Sequence, residues 1–180
     1  NRPAYNSEVH AAGDAGLAPL TNGYVDARLA DTIMVVGANP YETQTNYFLN
    51  HMVLNLNSES AELKERTFAG EPSGSGRMII VDPRRTMTVA AAEAAAGKER
   101  VLHLQIEPGT DIPLLNAIAR VVLDKRWHDI AFVRQRAEWQ TFEAYQRSSL
   151  GIDRPSAEFV GEAAAISGVN ETDIYKAAEW

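Results

Sequence analysis

"MIIVDPRRT", residues 78–86, reads as a buried strand that meets an acid, a proline and two arginines where it should leave a sheet. Met78, Ile79, Ile80 and Val81 form a continuous apolar run, the pattern of a strand covered on both faces. Asp82 falls at the carboxyl end of that run, and Pro83 closes it because proline has no N–H for the ladder. The question the stretch raises is what a sheet edge would hold with one carboxylate, two guanidiniums and the Thr86 hydroxyl.

On either side the chain alternates strand and helix patterns. "TIMVVG" (32–37) is a β-branched apolar run closing in glycine, and "QTNYFLNHMVLNL" (44–56) follows with Tyr47, Phe48, Met52 and Leu56 near helical spacing. A polar stretch, 57–76, ends in Gly-Glu-Pro-Ser-Gly-Ser-Gly and reads as a flexible insertion. After the strand at 77–81, the alanine-rich "TVAAAEAAAG" (88–97) predicts a helix stopped by Gly97. "VLHLQI" (101–106) is a third strand, and 110–127 an amphipathic helix with Thr110 or Asp111 as cap and Pro113 tolerable in its first turn. Shorter helices are expected around 129–136, 138–147, 156–167 and 171–179. Three β–loop–α units in succession predict an α/β fold on a parallel sheet with right-handed crossovers. Residues 31–128 form that domain, 1–30 precede it, and 129–180 add a helical extension.

Composition narrows the functions. The chain of 180 residues suffices for one substantial core. A net charge of −7 and a pI near 5.1 oppose nucleic-acid binding, which needs a basic face. No apolar run approaches the roughly 18 residues of a membrane span. Without cysteine there is no disulfide, thiolate nucleophile or Cys-ligated centre in this stretch. The opening "NRPAYNSEVH" has neither initiator Met nor signal-peptide pattern, and "DIYKAAEW" ends inside a helical pattern. The chain is therefore expected to be an internal piece of a longer protein.

Ligands of parallel sheets bind beyond the carboxyl ends of the strands. The three loops there are "VGANPYET" (36–43), "DPRRT" (82–86) and "EPGTD" (107–111). Gly37 allows close backbone approach, Asn39 offers an amide, and the next helix would point free N–H groups at an anion. Asp82 suits a sugar diol or a purine N–H edge. Each has a plainer reading: an ordinary βα turn at Gly37, a helix cap at Asp82, solvated charge at Arg84 and Arg85, caps at Thr110 and Asp111. As a set the three loops predict one nucleotide site. His10, His51, His103 and His128 lack metal-ligand spacing, so His51 and His103 read as core or surface residues, and no Gly-x-Ser-x-Gly elbow supports hydrolysis.

The ordered set of a Gly-x-Asn loop, "VDPRRT" and "PGTD" entering a long helix resembles the dimethyl sulfoxide reductase group of molybdopterin oxidoreductases. "NRPAYNSE" (1–8), "NPYETQTNYFLNH" (39–51) and "VLHLQIEPGTD" (101–111) are similar to the arsenite oxidase branch, in its large catalytic subunits. Val9, where related sequences have Cys, departs from that pattern. The resemblance implies a Rossmann-like domain in which Val36, Gly37, Ala38, Asn39, Pro40, Tyr41, Glu42, Thr43, Asp82, Pro83, Arg84, Arg85, Thr86, Gly109, Thr110 and Asp111 hold a guanine dinucleotide. It implies molybdenum bis(molybdopterin guanine dinucleotide) as cofactor, and an iron–sulfur cluster whose ligands lie outside this chain. Ala4 would stand where related reductases present a metal ligand, leaving molybdenum to pterin dithiolenes and oxygen. Glu8 would be the catalytic polar residue facing arsenite, which is oxidised to arsenate by oxo transfer. A Rieske-type small subunit, a downstream acceptor such as a cytochrome and a periplasmic location also follow from the resemblance. The rivals are a nitrate reductase or formate dehydrogenase type, against which Ala4 speaks, and a non-enzymatic nucleotide-binding domain. The 180 residues alone are expected to be inactive.

Overall fold

The computed structural model describes residues 23–67 and 76–180. Three strands, β1 (Thr32–Val36), β2 (Arg77–Val81) and β3 (Val101–Leu104), form an all-parallel sheet in the order β1-β2-β3. The register runs from Thr32↔Arg77 to Val36↔Val81 and from Met78↔Val101 to Val81↔Leu104. Each of the three expected strands forms; the runs of β2 and β3 are buried along most of their length, whereas in β1 only Val35 is fully buried.

The helices in chain order are α1 (Asp26–Leu29), α2 (Pro40–Thr43), α3 (45–56), α4 (Ala61–Thr67), α5 (Met87–Ala96), α6 (Asp111–Asp124), α7 (Ile130–Arg136), α8 (Trp139–Ser148), α9 (Ser156–Ser167) and α10 (Glu171–Glu179). A single turn, Lys98–Arg100, leads into β3. In α3 the stretch Phe48–Val53 is wound as a π-helix. Gly97 ends α5 at φ +84, a backbone state that glycine adopts without steric cost. The expected helices all form close to their expected positions, since apolar spacing and stop residues are local properties of the chain.

Two apolar layers enclose the sheet. On one face Phe48, Met52 and Leu56 of α3, at i, i+4 and i+8, join Val89, Ala92 and Ala96 of α5 over Val35, Met78 and Ile80. On the other, Leu114, Ala117, Ile118 and Val121 of α6 pack with Val160, Ala163, Ile174 and Ala177 over Ile79, Val81, Leu102 and Leu104. Full burial of each Leu, Ile or Val here contributes about 1.5–3 kcal/mol. Both connections between strands therefore cross one face, and α6, α9 and α10 cover the other. α9 and α10 share the core of the sheet, whereas α7 and α8 bury no side chain fully.

Two details differ from the sequence reading. The stretch 57–76 carries α4, and its Lys64 is 1% exposed, with Nζ donating to the Ala30 carbonyl at 3.0 Å. In a stretch read as a flexible insertion, a long aliphatic stem is covered while the ammonium finds a carbonyl. Burial lowers the Lys64 pKa, partly offset by Asp31. Residues 68–75 lie outside the described residues, as do Ala4 and Glu8.

Candidate functional site

The three loops meet along the carboxyl edge of the sheet. Gly37 N–H donates to the Val81 carbonyl at 2.9 Å, which ties the first loop to the end of β2. Asp82 N–H donates to the Leu104 carbonyl at 3.3 Å, and a ring nitrogen of His103 lies 2.9 Å from the Asp82 carbonyl. Gln105 Nε2 donates to the Pro83 carbonyl at 2.9 Å. These links place Asp82 between the other two loops.

Gly37 has φ +60 and Gly109 φ +85, and a Cβ built at either would meet nothing within 4 Å. Left-handed backbone is cheap only for glycine, and at these two turns it leaves open space beyond the strand ends. Asn39 is oriented by Thr88: the Thr88 hydroxyl donates to Asn39 Oδ1 at 2.7 Å and accepts from Tyr41 N–H at 3.1 Å. Asn39 Nδ2 and the N–H groups of Ala38 and Asn39 have no partner among the described residues. The expected helix mouth after this loop is not there. α2 has four residues, begins with proline, and its next N–H is taken by Thr88. The anion donors of this loop precede the helix instead.

Asp82 is 5% exposed and accepts from Arg84 N–H through Oδ1 at 2.8 Å. It anchors a turn rather than capping a helix, because α5 starts only at Met87, with Thr86 at its N-cap position. Its Oδ2 has no partner among the described residues. Arg84 is extended into solvent, with Nε 4.0 Å from Asp82 and its side chain 77% exposed. Arg85 is committed to Glu93 through Nη1–Oε1 at 3.0 Å and Nη2–Oε2 at 2.5 Å. This bidentate hydrogen bond holds the Glu93 carboxyl below its ordinary range and raises Arg85. Thr86 Oγ1 is buried without a hydrogen-bond partner, an unmet polar atom at the same loop.

In the third loop, Thr110 Oγ1 donates to the Glu107 carbonyl at 2.6 Å, closing a turn and leaving the N-terminus of α6 without a side-chain cap. Glu107 N–H donates to the Ser167 carbonyl at 2.8 Å, so this loop leans on the α9–α10 junction. A cleft of about 620 Å³ opens there, lined by Pro83, His103, Gln105, Glu107, Asn170 and Asp173. A larger cleft of about 970 Å³ includes Tyr24, Thr32, Tyr47 and His51 at the amino end of β1. Of the expected site residues only Thr43 borders it, so its size does not make it the ligand site. Burial raises the Tyr47 phenol there, with Asp26 and Tyr24 adding to the shift.

Sequence reasoning missed Thr88, His103 and Gln105, which position the loops. The alternation of "VLHLQI" does place His103 and Gln105 on one face, but nothing local pointed to Thr88 as the anchor of Asn39. The donors and acceptors present fit a nucleotide. Open glycines and free N–H groups suit a pyrophosphate, and one unpartnered oxygen of a buried carboxylate suits a sugar or a base N–H.

Residues 5–178 match the family model "Molybdopterin oxidoreductase", and the chain belongs to that family. It is 47% identical over its whole length to arsenite oxidase subunit AioA of Herminiimonas arsenicoxydans, covering 21% of that protein. It is 27% identical over 93% of its length to iodate reductase subunit IdrA of Pseudomonas sp. (strain SCT), covering 19% of that protein. The chain thus spans about a fifth of the length of the curated relatives it matches. Acetylene hydratase from Pelobacter acetylenicus superposes with a TM-score of 0.52 over 82% of this chain and 16% of its own, at 18% identity, which supports the fold alone. Among the described residues no helix is long and apolar enough to cross a membrane.

Proposed function

We propose that this chain supplies nucleotide-binding loops for a bis(molybdopterin guanine dinucleotide) molybdenum centre in an enzyme that oxidises arsenite to arsenate. The observation that carries the reading is Asp82. It is a buried carboxylate with one free oxygen at the centre of the strand-end loops, in a chain 47% identical to an arsenite oxidase subunit. In this reading Ala38 and Asn39 offer N–H groups to the pyrophosphate, Asp82 accepts from sugar or guanine, and Gly109 to Asp111 close the far side. Arg84, unengaged by any strong ion pair, is the arginine able to reach an anion; Arg85 serves its own loop through Glu93. The cofactor, when bound, supplies oxo transfer and two-electron redox chemistry, and the protein supplies binding and orientation.

Ala4 takes the position where related reductases present a metal ligand and offers none, and Glu8 four residues on accepts hydrogen bonds from the arsenite hydroxyls. The remaining parts are an iron–sulfur cluster ligated outside this chain, a Rieske-type small subunit, a cytochrome-like acceptor and the periplasm. They rest on the relationship to the arsenite oxidase subunit.

The test is the complete purified enzyme, assayed for arsenite-dependent dye reduction while molybdenum and acid-released guanine nucleotide are quantified. Two guanines per molybdenum together with arsenite turnover are expected. Molybdenum-loaded enzyme inert toward arsenite would overturn the substrate, and molybdenum without guanine would overturn the role of the loops.

A further inference from the structure

The alanine-rich helix α5 has a single charged side chain, Glu93, and has it where a helix tolerates an acid least. Its sequence is MTVAAAEAAA, so Glu93 falls in the last turn, against the negative end of the helix dipole. The side chain is only 15% exposed, and covering a carboxylate adds to that cost. Alanine at this position would suit the helix better on both counts. The reason for the acid therefore lies outside its own helix.

Its partner is Arg85, eight residues back and ahead of the N-cap residue Thr86, held by a bidentate hydrogen bond. A pair that spans the start of a helix in this way is not the i,i+4 contact that supports one. It draws the Arg85 guanidinium down the flank of α5 instead. Glu93 lies seven residues beyond Thr86, about 10 Å along the axis, so the cation is led away from the strand-end loops. The mutual shifts favour the charged form of both groups, and Lys98 and His103 add to the effect on Glu93. His103 also meets the Asp82 carbonyl, which ties the same corner of β3 to the loop. Arg84, adjacent and chemically identical, has no comparable acid, since Asp82 lies 4.0 Å from its Nε and the side chain stays in solvent.

We propose that Glu93 is a positioning residue of the nucleotide site: it withholds Arg85, so that Arg84 alone meets the anion. The inference rests on the reading of Arg84 as the arginine that reaches the pyrophosphate. Two free guanidiniums in one short loop would offer a polyanion two interchangeable cations, and with them two ligand positions. With one committed, the cation beside Asp82 is single and the register of the ligand is defined. Arg85 is then a reserve cation, released when Glu93 is removed.

The test uses the complete enzyme from molybdate-limited cells, with molybdenum and acid-released guanine nucleotide measured per polypeptide and a melting curve alongside. Arg84→Gln is expected to lower cofactor content by about three- to tenfold. Adding Glu93→Ala, which the helix tolerates, is expected to recover most of that loss, and adding Arg85→Gln as a third change to abolish the recovery. A purely structural Glu93 would do the opposite, because its removal would lower content further. Content in the double variant at or below that of Arg84→Gln overturns the inference and leaves the reading of Arg84 intact. Recovery that survives Arg85→Gln also overturns it, assigning the gain to lost negative charge alone. Parental content in Arg84→Gln removes Arg84 from the anion and overturns both.

Discussion

Asp82→Asn separates two tasks that one carboxylate performs. Oδ1 accepts from Arg84 N–H at 2.8 Å and sets the turn, while Oδ2 has no partner among the described residues. Asparagine keeps an oxygen for the turn, replaces the second oxygen with a donor, and removes the charge. A charge-assisted hydrogen bond contributes about 1.5–3 kcal/mol. At about 1.4 kcal/mol per factor of ten, cofactor retention should weaken about ten- to more than a hundred-fold. Thermal unfolding should stay near that of the parent because the turn survives. Asp82→Ala removes the turn bond as well, a further cost of about 0.5–1.5 kcal/mol, and should lower both quantities. The assay is molybdenum and guanine nucleotide per polypeptide in complete enzyme from cells limited for molybdate, with a melting curve alongside. Parental cofactor content in the Asn variant would refute the reasoning and leave Asp82 as a turn anchor only.

Thr88→Val deletes a fully buried hydroxyl that bridges Asn39 and Tyr41, and should cost about 1–3 kcal/mol in denaturant unfolding of the complete protein while also reducing cofactor content. Arg120, 3% exposed, donates to the carbonyls of Leu150, Gly151 and Arg154 and pairs with Asp124 at 2.8 Å, so Arg120→Met should destabilise by about 3–5 kcal/mol, read as a lower melting temperature. Glu8→Gln should leave molybdenum content intact and lower kcat/KM for arsenite by roughly ten- to a hundred-fold; kinetics equal to the parent across pH 5–9 would remove Glu8 from the site.

Much of the fold was legible in the chain by itself. "MIIV" reads as a strand because a continuous apolar run fits a twice-covered sheet, "TIMVV" because it is a short β-branched apolar run, and "VLHL" because it opens an alternating pattern. The helices at 87–96, 111–124, 156–167 and 171–179 follow from apolar spacing and from punctuation such as Gly97 and Gly168. Those signals act over a few residues, which is why they can be read without a structure. The location of three ligand-capable loops followed in turn, since strand ends fix loop positions.

What only the tertiary structure decided are relations between residues far apart in the chain. Asn39 and Thr88 are 49 residues apart, and their hydrogen bond arises because α5 packs beside the first loop. Arg84 and Arg85 are adjacent and chemically alike, yet Glu93 on the facing turn of α5 engages one and leaves the other in solvent. Lys64 lies in a polar stretch and is nevertheless buried, its ammonium meeting the Ala30 carbonyl from 34 residues away. The face chosen by each crossover is likewise a property of packing. Periodicity says that a residue is buried; which partner meets it depends on three-dimensional closure of the chain, where hydrogen bonds and apolar area must be satisfied together.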